Sequence, residues 1–466
     1  MIVGDWWPAD APELRFSGVL TTTDGKASLT VTAPPIGQEV NALGRAMTLH
    51  GEAKDPSGVT RITLWGAEGT HFHHETATEL TRSVAQVVLG AHFGGAQGER
   101  FRSSAASFHD LAMWSRVPDP ISDGTAESEA RQHTVAVMAD VYADIFGAGY
   151  AVEVRLEYPT RIQTNETFPD GIISDFPGDH VRVVFDVSPP ASLEFHDLLL
   201  RDMQALLTFS YLSGAPVTGQ WIGSDPGNLY ALIRRDTFRD RAFARRGGFQ
   251  MILTTEVAPF GHLVQEWWNL LDEHFPAPQV LTMYLHTSRG LLEQSTASVL
   301  AATEHLHTQI GETQTRLEPR YLACRSTEIL GTYEGDEHAA FRQFMREKLR
   351  ENRPTLQTRL EQLVNIVGVE QVSLTGIDSE AWIRLFKSVR NKLAHTGAHV
   401  PRRGDSSDDL ELINAQTRSL LAMLLLSRMN LTVESLTRAA NTLGKWPHNR
   451  LISSTPPREP RATPRG

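Results

Sequence analysis

Ser388-Val389-Arg390-Asn391-Lys392-Leu393-Ala394-His395-Thr396-Gly397 closes a helical pattern. Trp382, Leu385, Phe386, Val389 and Leu393 recur at spacings of three and four, the apolar stripe of an amphipathic helix, and Gly397 suits a C-terminal cap. The spacing predicts a helix over residues 379–396. On it Asn391 and His395, four apart, share a face, while Arg390 lies about 140° round the axis from His395. The polar trio therefore flanks the stripe that a core would bury.

Outward from this stretch the pattern stays helical. Periodicity predicts helices over residues 260–275, 280–292, 295–310, 337–351, 354–367 and 408–443. The last combines Leu410, Ile413, Leu420, Leu421, Leu424 and Leu425, which reads as core and secondarily as a dimer surface. Before residue 259 the chain is different. Runs rich in Val, Ile, Thr and aromatics at 14–23, 27–33, 59–65, 83–89, 150–158 and 180–187 are separated by Gly, Pro, Asp and Asn clusters. Val152, Val154 and Leu156 alternate, as a strand with one buried face requires. One helix, 194–212, interrupts the strands, with Gly214 as its stop. The expected fold is thus α+β. It comprises a β-rich domain over 1–275 (an antiparallel sandwich or barrel-like sheet), a helical bundle over 276–450, and a Pro/Arg-rich disordered tail over 451–466. No internal repeat is visible.

The 466 residues carry 55 acids against 44 Lys plus Arg, a formal charge of −11. That balance excludes a protein that coats nucleic acid by bulk positive charge, so a polyanion must meet a local basic patch. Residues 384–403 are such a patch: Arg384, Lys387, Arg390, Lys392, Arg402 and Arg403 stand among no acids. The other 446 positions hold 38 basic and 55 acidic side chains, a charge of −17. One cysteine, Cys324, allows no internal disulfide and points to a reducing compartment. The opening residues lack a basic start and an apolar run, and the densest apolar stretch, residues 420–426, is far below the roughly 20 needed to span a bilayer. The expected location is the cytoplasm, without membrane.

An Arg-x4-His pair by itself says little. The 38 Arg and 18 His give about 1.5 such pairs by chance, and the chain has a second at Arg45 and His50. Asn391, the helix-end position and the helical surroundings set the pair at Arg390 and His395 apart. Arg390-Asn391-Lys392-Leu393-Ala394-His395 resembles the signature of HEPN domains, helical bundles that often act as metal-independent ribonucleases. The wider layout resembles the ApeA family of bacterial anti-phage proteins, which join a β-rich N-terminal domain to a C-terminal HEPN domain. Gly4-Asp5-Trp6-Trp7-Pro8 with Phe16-Ser17-Gly18-Val19-Leu20 is similar to that family's opening. Ser295-Thr296-Ala297-Ser298-Val299-Leu300-Ala301-Ala302-Thr303-Glu304-His305-Leu306-His307 is similar to its first HEPN helix, with Glu304 at the acidic position.

The resemblance implies a cytoplasmic endoribonuclease of phage defence that cleaves host tRNA or mRNA and arrests growth. It implies no cofactor, a homodimer or higher oligomer through the helical domain, and a phage-derived trigger at the N-terminal domain. The chemistry agrees. RNA brings its own nucleophile, the 2′-hydroxyl, so cleavage to a 2′,3′-cyclic phosphate and a 5′-hydroxyl requires only proton transfer and charge stabilisation. His395 is the proton carrier, Arg390 the phosphate clamp, and Asn391 orients the histidine or the ribose. Lys387, Lys392, His399, Arg402 and Arg403 are the expected RNA-binding residues. A competing reading makes Arg390 a tie to a carboxylate and His395 a cap of its own helix. The chain would then be a non-catalytic protein, with a helical scaffold and a β-rich domain that recognises a phage component or glycan.

Other clusters are weaker. Arg234, Arg235, Arg239, Arg241, Arg245 and Arg246, interleaved with Phe238 and Phe243, suit either a secondary nucleic-acid patch or a solvated segment with internal Arg-Asp pairs. His71, His73 and His74 beside Glu75 have metal-ligand chemistry but no second cluster nearby, so an exposed turn is favoured and no metal site is assigned. The glycines of residues 90–98 match neither a phosphate loop nor a dinucleotide fingerprint and read as a loop.

Overall fold

The computed structural model describes residues 1–23, 26–32, 47–55, 58–74, 77–95, 98–115, 131–158, 181–225, 227–234, 251–286, 292–311, 318–333, 335–350, 354–396 and 408–445. They fall into two compact units, Met1–Trp268 and Asn269–Gly466. The tail predicted over 451–466 lies outside the described residues.

The first unit is an all-antiparallel system of 13 described strands. Strands β1 (Ile2–Pro8), β2 (Phe16–Thr23), β3 (Lys26–Thr32), β4 (Met47–Asp55), β5 (Gly58–His74) and β6 (Ala77–Val84) run in the order β4-β1-β2-β3-β6-β5. A β4–β5 pairing closes them into a six-stranded barrel. Closure depends on the length of β5. Its first part pairs with β4, and after Gly66, at φ +63°, residues 68–74 pair with β6. Gly66 stands just before the stretch that pairs with β6, and its left-handed backbone is a position for glycine.

Trp6 fills the barrel interior, fully buried, with Nε1 donating to the carbonyl of Gly18 at 3.2 Å. A Cβ at Gly51 would overlap Trp6 Cε3 and Cζ3, and one at Gly18 would lie 3.3 Å from Trp6 Cδ1. These two glycines are small because the indole occupies their space.

Strands β7 (Gln86–Leu89), β8 (Phe101–Phe108), β9 (Arg131–Val141), β10 (Tyr150–Tyr158), β11 (Arg182–Ala191), β12 (Val217–Gly223) and β13 (Tyr230–Arg234) extend the sheet in the order β5-β7-β13-β12-β8-β11-β10-β9. Strands β7 and β13 wall two cores. Val87, Leu89, Ala231 and Ile233 face the barrel core, and Val88 and Leu232 face a second one with Trp65, Phe93 and Phe101. The run expected at 83–89 is therefore two strands, broken at Ala85, whose N–H bonds the Trp65 carbonyl. Short helices α1 (Leu111–Ser115) and α2 (Ala143–Phe146) occupy connections.

Helix α3 (Leu193–Tyr211) starts at Ser192, whose side chain accepts from Phe195 N. It ends at Leu212, in the left-handed region at φ 53°, so the stop comes two residues before the expected Gly214. Its buried His196 bonds Ser104 Oγ through Nδ1 at 2.8 Å and the Phe101 carbonyl through Nε2 at 3.0 Å. A carbonyl only accepts, so Nε2 carries the proton and Nδ1 accepts from Ser104.

Helix α4 (Phe260–Glu273) leads into α5 (Ala277–His286), α6 (Leu292–Ile310), α7 (Pro319–Gly331), α8 (Ala339–Arg350), α9 (Leu356–Val367), α10 (Val369–Leu374), α11 (Ser379–Thr396), α12 (Asp408–Ser427) and α13 (Val433–Gly444). The architecture is α+β, a β-rich region followed by a helical one. The long helix expected over 408–443 is two. Asn430 is left-handed at φ 51°, and Thr432 caps α13 by accepting from Ser435 N at 3.2 Å, so local side-chain chemistry overrides the continuous apolar pattern. Helix α7 was not anticipated. It packs against α8 while most of its residues are exposed, so it lacks the strong apolar periodicity of a core helix.

Helix α12 is the centre of the bundle. Leu420 to Leu426 are all buried, and Asn414 Nδ2 bonds Thr296 Oγ1 on α6 at 2.9 Å. The segment is apolar all round because it is buried all round. Among the described residues no helix is long and apolar enough to cross a membrane.

Candidate functional site

Helix α11 begins where Asp378 Oδ1 accepts from Ala381 N at 2.9 Å. Of its predicted stripe, Trp382, Phe386 and Val389 are buried, while Leu385 and Leu393 are half-buried and Ile383 joins the core instead. Trp382 Nε1 donates to Thr417 Oγ1 of α12 at 3.1 Å and its ring meets Phe386 edge-on at 5.3 Å. These contacts fix the rotation of α11 about its axis. Arg390 and Asn391 are consequently exposed.

Arg390 does not stand alone. Its Nε donates to Oε1 of Glu304 on α6 at 3.1 Å. Arg359 of α9 approaches the other carboxylate oxygen, Oε2, at 3.4 Å through Nη2. One carboxylate from residue 304 thus bridges two guanidinium groups from residues 359 and 390. The Arg390 side chain remains 43% exposed, against 24% for Arg359 and 18% for Glu304. Two more bonds stitch the same helices. Lys387 Nζ donates to Gln357 Oε1 at 3.1 Å, and His307 Nε2 donates to Gln362 Oε1 at 2.6 Å.

The site therefore gathers Glu304, Arg390 and Lys387 from the expected set. It adds Arg359, Gln357, Gln362 and His307, which sequence reasoning missed. Arg359 sits in an ordinary amphipathic pattern, and no local spacing marks it. Only its approach to Glu304 does. Chemically, the cluster offers a half-exposed guanidinium whose carboxylate partner is already shared with a second cation.

The remaining expected residues are distributed as follows. His395 lies in the last turn of α11, one turn beyond Asn391, and its side chain falls outside the described residues. Lys392 is half-buried. His399, Arg402, Arg403 and Gly397 lie outside the described residues, as do Arg235, Arg239, Arg241, Arg245 and Arg246. Arg234 ends β13, and its Nη2 is 2.6 Å from Asp197 Oδ1 on α3, so that guanidinium serves an internal ion pair. His71, His73 and His74 belong to the second part of β5 rather than to a turn, and their side chains also fall outside the described residues. Residues 91–95 form no regular element, as expected of a loop.

The acid-free stretch of the sequence acquires acids in space. Glu304 reaches Arg390, and Glu380 Oε2 lies 3.5 Å from Arg384 Nη1. The local field is thereby weaker than the linear count of +6 implies.

A helical bundle that follows a β-rich region in the chain fits one class: an HEPN-type protein with an N-terminal β-rich portion. Comparison with family models agrees for both parts, since residues 298–435 match the Apea-like HEPN family and residues 1–222 match ApeA N-terminal domain 1. The chain belongs to the ApeA-like proteins with a C-terminal HEPN domain, and so is an HEPN protein of the anti-phage kind. No curated protein and no solved structure matches it.

Proposed function

We propose that the chain is a metal-independent endoribonuclease of phage defence whose site is Arg390, Asn391 and His395. The observation that carries this reading is the half-exposed Arg390 guanidinium at the end of α11, held by Glu304 while Arg359 occupies the same carboxylate. An RNA phosphate takes the place of Glu304 on Arg390, and Glu304 keeps Arg359 as its partner. The exchange leaves no unpaired carboxylate, which lowers its cost. The 2′-hydroxyl attacks the adjacent phosphorus and loses its proton, and the 5′-oxygen departs with a proton. His395 manages these transfers, Arg390 holds the non-bridging oxygens, and Asn391 orients the imidazole or ribose. The products are a 2′,3′-cyclic phosphate and a 5′-hydroxyl.

Lys387, Lys392, His399, Arg402 and Arg403 contact the RNA backbone in this reading, with the arginines near residues 234–246 as a secondary patch. Two copies pair through their helical domains, a phage-derived trigger acts at the N-terminal domain, and cleavage of host tRNA or mRNA arrests growth in the cytoplasm. The working division is a positioning or sensing domain at 1–275, the helical domain at 276–450 and a tail at 451–466.

The Arg390–Glu304 pair also favours a second reading, in which it only ties α11 to α6 and the helical domain is a scaffold. Incubating the protein with total RNA in EDTA, together with the phage component that activates it, separates the two. Cleavage with cyclic-phosphate ends that disappears in His395→Ala supports the nuclease. Intact RNA under conditions that protect cells against phage supports the scaffold.

A further inference from the structure

Strand β6 carries an arginine where the barrel alternation calls for an apolar side chain. Val84 is buried in the barrel core, Ser83 is exposed, and Arg82 shares the inward face with Val84. The strand registers align Ile2 with Leu20, Leu20 with Leu29, Leu29 with Arg82, and Arg82 with Gly69. Directly paired residues face the same side of a sheet, so Arg82 belongs to an inward row whose members Ile2, Leu20 and Leu29 are themselves buried. Arg82 is 0% exposed, and its Nε, Nη1 and Nη2 are buried without a hydrogen-bond partner among the described residues.

This arrangement is costly as it stands. A guanidinium has five N–H donors and does not give up its charge in any accessible pH range. Burial disfavours the charged form, and no carboxylate among the described residues opposes that effect. Replacement by an apolar residue would remove the penalty, so the position calls for a compensating group. The directly paired neighbours of Arg82 are Leu29 on β3 and, on β5, Gly69, which has no side chain, and the diagonal neighbours on β3 are Ala27 and Val31. Trp6 takes up much of the remaining interior, and a barrel of so few strands has little room besides. A compensating group must therefore be small, and the guanidinium fork matches two oxygens of a carboxylate or phosphate.

We propose that the six-stranded barrel is a receptor for one oxyanion, the carboxylate or phosphate of a small molecule, gripped by Arg82. This gives the β-rich unit a ligand of its own, independent of the chemistry at Arg390.

The test is thermal unfolding of the full-length protein and of Arg82→Met in inorganic phosphate, in acetate, and in sodium chloride at equal ionic strength. Saturating anion, about a hundredfold above its dissociation constant, raises the wild-type melting temperature by roughly 5–10 °C over the chloride control. Arg82→Met shows no such rise, and in chloride it melts at or above the wild type. A response to phosphate alone identifies a phosphorylated ligand, and a response to acetate alone a carboxylate. Equal shifts in wild type and variant, or no wild-type shift with either anion, overturn the proposal. If Arg82→Met does not fold, Arg82→Lys replaces it. That variant keeps the charge without the fork and must lose most of the shift.

Discussion

Replacing Arg390 by alanine separates catalysis from structure, because the two roles differ in size at this position. The Arg390–Glu304 contact is 3.1 Å long, but the arginine side chain is 43% exposed. Ion pairs in such surroundings contribute about 0.2–1 kcal/mol once desolvation and side-chain entropy are counted. Glu304 would keep Arg359 at 3.4 Å on its other oxygen, so truncation strands no buried charge. The expected loss of stability is at most about 1 kcal/mol, or a fall of about 2–4 °C in melting temperature. A donor that stabilises a transition-state oxyanion is worth far more, about 10²–10³ in rate. Single-turnover cleavage of labelled RNA and a melting curve, measured on the same preparation, read both quantities. Cleavage should fall at least a hundredfold while the melting temperature barely moves. Arg390→Lys should recover only part of the rate, since it restores the charge but not the planar fork. The reasoning fails if Arg390→Ala cleaves within tenfold of wild type. It fails equally if the variant melts many degrees lower and its cleavage loss merely tracks the folded fraction.

Three further outcomes are expected. His395→Ala should lose cleavage by about 10²–10⁴-fold while binding uncleaved RNA as before, read by filter binding and product analysis; unchanged cleavage removes the histidine from the site. Gly51→Ala should destabilise by about 1–3 kcal/mol, because its Cβ meets the Trp6 ring, and Trp6→Phe should relieve the overlap; urea unfolding of both variants and their combination measures the coupling.

The third concerns pH. Burial pushes the Asp202 carboxyl up from 3.8 to about 6, although the Tyr142 hydroxyl donates to it. A carboxyl whose folded pKa is raised weakens the fold above that pKa and gives stability back as pH falls from about 6 towards 3.8. Relative to wild type, Asp202→Asn should therefore lose about 2 kcal/mol between pH 7 and pH 4.5. His196 acts with the opposite sign, since burial holds it down at about 4, and its contribution drains away from pH 6.5 to pH 4. Comparing the variant with wild type at each pH cancels the histidine and isolates Asp202. A parallel pair of stability–pH curves would contradict the assignment.

Much of the architecture is legible along the chain for a definite reason. Val152, Val154 and Leu156 alternate because β10 buries one face, and Trp382, Phe386 and Val389 repeat because α11 does. These periods belong to single elements and survive in one dimension. Reading fails where a local device interrupts the period, as at Leu212, Asn430 and Thr432. It fails also at α7, which buries too little to show a period.

The sequence by itself determined that strands precede helices, that residues 379–396 form an amphipathic helix, and that Arg390, Asn391 and His395 share its last turns. Tertiary structure alone decided that β1 meets β4 and β3 meets β6 within a closed barrel, because pairing between strands far apart in the chain depends on register rather than composition. It alone turned Arg82 inward, since the face of a strand residue is known only once its partners are. It alone also brought Glu304, Arg359 and Arg390 onto one carboxylate from three helices. Those residues lie 31 to 86 positions apart in the chain. Helix packing, not spacing, puts their charges within bonding distance.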